Sequence, residues 1–185
     1  MTPRPTSARI EPVAAASLSD TATELLHTMA TRAQIPNLYL TLIHYEGLVR
    51  RWLPFGAKVL NGKIPPRDRE IMILRTAWNC QSKYEWCQHA VLALDAGLTS
   101  DEIDRVKVRY FAGWTEWDEV LLAAADDLHN DQCISDNTWD KLSQRYDTRQ
   151  LIELPMLVGE YHLVAMTLNS LGVQLDEGLP NSWDA

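Results

Sequence analysis

The chain predicts an all-α fold of about seven to nine helices, and three observations carry that expectation. No run of β-branched residues alternates between turn signals. Apolar residues recur instead at three- and four-residue spacing, as at Val120, Leu121, Ala124 and Leu128. Helix-opening residues stand in front of these segments: Thr99 with Glu102, Thr115, and Asp147 with Gln150. The 185 residues suffice for one domain with a real core, and 46% hydrophobic with 23% charged residues is an ordinary globular balance.

The elements follow in order. Residues 1–16 are rich in Pro, Ala, Ser and Thr and read as an extended arm. A helical domain spans 17–173, and 174–185 form a polar tail over the surface. Ser17 or Ser19 opens a first helix through Leu25, Leu26 and Met29 to about Ala33. Pro36 ends that region and Asn37 can cap the next segment, in which Gly47 and Pro54 predict two short helices or one kinked helix. Pro65-Pro66 starts a helix to about Trp78, with Ile71, Leu74 and Trp78 on its apolar face. Another runs from after Ser82 to a stop at Gly97, and is so apolar that burial on more than one side is expected. Thr99 opens a short helix to about Val108. Residues 110–114 read as a loop, and Thr115 caps a helix over 116–130. Ser135 starts a helix toward Tyr146. Asp147 opens the last and longest, which contains Pro155 and stops at Gly172. Glu153, Glu160 and His162 interrupt its apolar run, so a buried helix is expected rather than a membrane span.

The net charge of −8 argues against a nucleic-acid surface. Three cysteines fit a reducing, cytoplasmic compartment, and the first twenty residues hold no apolar run of the secretory type. Asp126, Asp127, His129, Asp131 and Cys133 are metal-ligand types without a recognised spacing, so no metal and no cofactor are expected.

The chemistry gathers in Arg67 to Thr99. Glu85 and His89 lie four residues apart and share a helix face. A carboxylate in that apolar setting tends toward a raised pKa, which makes the pair a proton-transfer couple. Glu70 on the preceding helix can complete a cluster of two carboxylates and one imidazole. A structural alternative stands beside this: Ser82 and Glu85 fit a capping box, His89 can be a core histidine, and Glu70 can pair with a neighbouring arginine. Cys80 falls in the turn, where it could be reactive, and Cys87 on an apolar stripe. They are the only candidates for a thiol redox site, seven residues apart rather than in a C-x-x-C pair.

The stretch RDREIMILRTAWNCQSKYEWCQHAVLALDAGLTSDEI, with its Arg-x-x-Glu start, its Tyr-Glu-Trp-x-x-His segment and its Ala-Gly-Leu-Thr end, closely resembles the core of the carboxymuconolactone decarboxylase family, which includes the AhpD-like alkylhydroperoxidases. The resemblance implies an AhpD-like helical domain and homo-oligomers, commonly trimers or hexamers. It also implies a site made of a glutamate, a C-x-x-C pair and a histidine in the peroxidases. Aligned on Glu70 and His89, the two thiol positions fall on Ser82 and Glu85. The resemblance therefore implies proton chemistry: a cofactor-independent decarboxylase or isomerase acting on a small cyclic or lactone-type organic acid. Glu70, Glu85 and His89 would be catalytic, Arg75 would hold the substrate carboxylate, and Ser82 and Tyr84 would stand beside it. A thiol-dependent alkylhydroperoxide reductase using Cys80 and Cys87, and a non-catalytic helical oligomer that binds a small ligand, are the alternatives.

Overall fold

A computed structural model describes residues 2–29, 34–108 and 113–184. Among them are nine α-helices, three short 3-10 turns and no β-strand. The helices are α1 (Asp20–Leu26), α2 (Asn37–Leu42), α3 (Glu46–Leu60), α4 (Pro66–Asn79), α5 (Lys83–Asp95), α6 (Ser100–Val106), α7 (Glu116–Asn130), α8 (Asp136–Ser143) and α9 (Thr148–Leu171). The expected end of the first helix near Ala33 and most of the expected loop at 110–114 lie outside the described residues.

Helix α4 is the axis of the fold. Ile71, Met72, Ile73, Leu74, Thr76 and Ala77 are all buried, so it has no solvent face over these turns, and it packs against α5, α6, α7 and α9. A helix enclosed in this way is held by apolar burial from every side rather than by one stripe. Its start is fixed by α9. The Glu153 carboxylate accepts from the Lys63 amide at 2.7 Å and the Ile64 amide at 3.1 Å, and Gln150 donates to the Lys63 carbonyl at 3.0 Å.

The helix-opening residues act as their chemistry dictates. Thr99, Thr115 and Asp147 each form a capping box, with Glu102, Asp118 and Gln150 as the reciprocal partners. Ser19 and Ser135 cap α1 and α8. Gly172 closes α9 at φ 66°, in the left-handed region that a side chain would resist. Two expectations need correction. The interruption between α2 and α3 falls at the 3-10 turn Ile43–Tyr45, whereas Pro54 lies within α3. Asn37 does not cap α2, because its side chain is engaged by the tail, donating to the Gln174 carbonyl at 3.1 Å.

Both ends of the chain lie on the domain. In the arm, the Arg9 amide donates to the Leu171 carbonyl and the Val13 amide to the Leu40 carbonyl, both at 2.9 Å. In the tail, Trp183 enters a cluster with Trp78 and Trp86, at ring-centroid distances of 4.8 and 5.9 Å. Helix α9 is long and apolar enough to cross a membrane, but its Leu154, Leu157, Val158 and Ala165 are buried against the rest of the domain.

Candidate functional site

The turn between α4 and α5 decides how the site is built. α4 ends at Cys80, Gln81 takes φ 53°, and the Ser82 amide donates back to the Ala77 carbonyl at 2.9 Å. This is a Schellman closure, and it has a chemical consequence two residues on. A capping box needs the Ser82 amide free for Glu85, but Ala77 already holds it. Ser82 also has φ −99° and ψ 86°, away from the extended geometry of a capping residue, and its side chain makes no cap bond. The expected Ser82–Glu85 capping box is therefore absent. Ser82 Oγ and both carboxyl oxygens of Glu85 are buried without a hydrogen-bond partner among the described residues.

Glu70 and His89 meet across α4 and α5. His89 Nδ1 lies 2.7 Å from Glu70 Oε2, while Arg69 Nε donates to Glu70 Oε1 at 2.9 Å. Burial alone pushes the Glu70 carboxyl up, but the charges of His89 and Arg69 outweigh it and hold Glu70 below the ordinary carboxylate range. An ionised carboxylate can only accept, so Nδ1 carries the proton in this bond. In the neutral ring Nε2 then keeps its lone pair, and it has no hydrogen-bond partner among the described residues. The expected pairing of His89 with Glu85 is thus replaced by pairing with Glu70. The edge of Tyr161, at 4.8 Å between centroids, fixes the ring from the side.

His89 and Glu85 both line a cavity of about 420 Å³ enclosed by α3, α5, α9 and the tail. Its wall is largely apolar, with Tyr39, Leu53, Leu60 and Val164 among its residues. Glu85 stands in it well above its ordinary pKa, first because burial disfavours the charge and second because of the Glu160 carboxylate. Glu160 lines the same wall, accepts a hydrogen bond from Trp52 Nε1, and is itself raised by burial. The absence of a side chain at Gly56 makes room for this pair, since a Cβ there would lie 3.3 Å from Glu160 Oε1. The tail closes one side. Asp176 accepts from the Asn37 amide at 2.6 Å and from the Tyr84 hydroxyl at 2.9 Å, and Gln88 also donates to it.

The remaining expected site residues are distributed as follows. Tyr84 lines the cavity, tied to Asp176. Ser82 lies beneath the turn and does not line it. Arg75 is displaced from the role expected of it. Its Nε donates to Asp126 Oδ1 at 2.7 Å, Nη2 to Oδ2 at 3.1 Å and Nη1 to the Val106 carbonyl at 2.8 Å, so the guanidinium ties α4 to α7 and the end of α6. Neither Cys80 nor Cys87 lines the cavity. Burial, with a smaller contribution from Glu85, pushes the Cys80 thiol up to about 12. Cys87 is fully buried, its thiol 3.9 Å from Asn181 Oδ1. Trp52 and Tyr161 also belong to the site, and nothing in their local sequence marks them out from ordinary core aromatics. Glu160 gave a signal, as a carboxylate in an apolar run, but no local pattern connects it with α5.

Helices α4 and α5, presenting a glutamate and a histidine to each other beside an apolar cavity, define a class of all-helical proteins rather than one activity. Residues 46–126, from α3 into α7 and including Glu70, Glu85 and His89, match the model of the carboxymuconolactone decarboxylase family. Three solved structures share the fold. An uncharacterized peroxidase-related protein with an AhpD core from Ralstonia eutropha aligns at a TM-score of 0.80 and 18% identity, over 93% of this chain and 94% of its own. A peroxidase-related protein from a Silicibacter species aligns at 0.81 and 12% identity, over 97% of each chain. A cysteine variant of the debrominase Bmp8, in complex with 2,3,4-tribromopyrrole, aligns at 0.80 and 12% identity, over 97% of each chain. No curated protein matches the chain.

Proposed function

We propose that the protein is a cofactor-independent proton-transfer enzyme, an isomerase or lyase acting on a small cyclic or lactone-type organic acid. One observation carries this reading. His89 is held at Nδ1 by Glu70, while Glu85, without a hydrogen-bond partner among the described residues, shares its cavity wall. A base and an acid on one largely apolar wall are what removal of a proton next to a carbonyl requires. His89 Nε2 takes the proton from the carbon. The electron pair of the broken C–H bond moves into the carbonyl, and the oxygen receives the Glu85 proton, giving an enol. Where the enol is conjugated with a second double bond, His89 returns a proton to the far carbon. The enol O–H proton passes back to Glu85, which restores the carbonyl and both side chains and completes an isomerisation. In decarboxylation the electrons of the broken C–C bond enter the same enol as CO2 leaves.

The lining favours the isomerase form. Glu85, Glu160, Asp176 and Glu177 line the cavity, and no Arg or Lys does among the described residues. A substrate carboxylate finds no cation on that wall and meets Asp176 and Glu177, so the carbonyl points inward and the carboxylate outward. The bound tribromopyrrole of the debrominase Bmp8 is a small ring of the size such a cavity accepts. The thiol-reductase reading lacks comparable support, since both cysteines in question stand off the cavity.

The test is exchange of the carbon-bound hydrogen with deuterated water across a panel of small lactones and cyclic keto acids. Wild type is expected to catalyse exchange on at least one. His89→Gln and Glu85→Gln are expected to lose about 10²–10⁴-fold in rate, with helical circular dichroism retained. Full exchange activity in both folded variants would remove the proposed couple.

A further inference from the structure

Away from the cavity, three side chains distant in sequence converge. Cys80 ends α4, His129 lies in the last turn of α7, and His162 lies in the middle of α9. His129 Nδ1 is 2.9 Å from His162 Nε2 and 4.0 Å from Cys80 Sγ, and one ligand atom from each residue lies within 4.8 Å of the others. We propose that Cys80, His129 and His162 form a transition-metal site that takes zinc.

The donor set suits this ion. One thiolate sulfur and two imidazole nitrogens are borderline-soft ligands, the kind that select zinc over magnesium or calcium. Tetrahedral zinc with its usual bond lengths sets nitrogen atoms about 3.3 Å apart and sulfur about 3.6 Å from nitrogen. The contacts of 2.9 and 4.0 Å bracket those spacings, and the remaining sulfur–nitrogen pair, within 4.8 Å, has to close by side-chain rotation. The tautomer of His162 is already set. Its Nδ1 lies 2.8 Å from the Val158 carbonyl, which can only accept, so Nδ1 carries the proton. In the neutral ring this turns the Nε2 lone pair to the cluster, where it accepts from His129 Nδ1. A metal takes the place of that shared proton, which moves to His129 Nε2 or is released on binding. The main chain under Cys80 is pinned from two sides. Arg4 Nη2 donates to its carbonyl at 2.8 Å and Asn169 Nδ2 at 3.0 Å. Three protein ligands leave a fourth position open to water or a small anion. The bound ion ties the ends of α4 and α7 to α9.

None of the three residues lines the cavity, so the site is spatially separate from it, with Glu85 near enough to act electrostatically on Cys80. The separations of 49 and 33 residues, on three elements, explain why no ligand spacing is visible in the chain.

The test uses the full chain, stripped with a chelator and titrated with Co2+, then with Zn2+ in competition. The expected result is a thiolate-to-cobalt charge-transfer band in the near ultraviolet, removed by Zn2+. Cys80→Ser should abolish the band, and His162→Gln should weaken affinity at least tenfold. Cys133→Ser should leave both unchanged. X-ray absorption of the zinc-loaded wild type should show one sulfur at about 2.3 Å and nitrogens at about 2.0–2.1 Å, a readout that does not depend on any variant folding. Absence of metal uptake, a zinc shell without sulfur, or a charge-transfer band that survives Cys80→Ser overturns the proposal.

Discussion

Glu85 is the residue with the least ordinary surroundings. Its carboxyl is buried, lacks a hydrogen-bond partner among the described residues, and is held well above its usual pKa by burial and by Glu160. The stability consequence has a definite sign. A carboxyl whose folded pKa exceeds its unfolded value contributes most below the ordinary carboxylate range, and that contribution is lost as pH rises through the folded value. Glu70 is held below its usual range and works in the opposite direction, losing its contribution on acidification. Glu85→Gln cannot ionise. Its melting temperature is therefore expected to gain on wild type as pH is raised from about 5 to about 8. Parallel thermal melts at the two pH values check this, and a constant difference would mean that Glu85 does not titrate in that window. At this scale the sequence was informative about identity and not about pairing. Glu70, Glu85 and His89 stand out as polar residues in apolar segments. The choice of Glu70 as the partner of His89 depends on how two helices face each other, which helical periodicity within one of them does not contain.

At the scale of elements, the same limit appears in α4. Its apolar face was legible, as were the Pro66 start and the caps of α6, α7, α8 and α9, because these depend on neighbours in the chain. Its enclosure by four other helices was not legible, nor was the use of Arg75 as an internal tie. Arg75 and Asp126 are nearly buried, with side-chain exposures of 10% and 5%. Removing one member of such a pair leaves the other charge buried without its counter-ion, although Asn79 still donates to Asp126 at 2.8 Å. Arg75→Met is expected to destabilise by roughly 3–5 kcal/mol, and the double variant Arg75→Met with Asp126→Leu by much less. Chemical denaturation measures both. Equal losses in the two variants would show that the arginine acts through packing alone. The turn from α4 to α5 teaches the complementary lesson. Ser82 and Glu85 have the letters of a capping box, but the preceding helix closes on the amide that the box requires.

At the scale of the molecule, the ends of the chain complete the interior. The arm and the tail read as surface segments because they are polar and contain proline. Yet the arm bonds to Leu171 and Leu40, the tail supplies Asp176 to the cavity wall, and Trp183 joins the tryptophan cluster. Their placement rests on scattered hydrogen bonds, the Lys83–Asp184 ion pair and isolated apolar side chains such as Leu179 and Trp183 rather than on any periodic pattern, so composition alone could not reveal it. One consequence concerns light. Trp52 lines the cavity and donates its indole N–H to the Glu160 carboxyl, so its excited state feels both the occupancy of the cavity and the charge beside it. Cavity ligands should therefore change the tryptophan emission, and Trp52→Phe should abolish most of that change while the other six indoles continue to emit. A titration followed by fluorescence would then rank ligands with no product assay, using a fluorophore the protein already carries at the place where they bind.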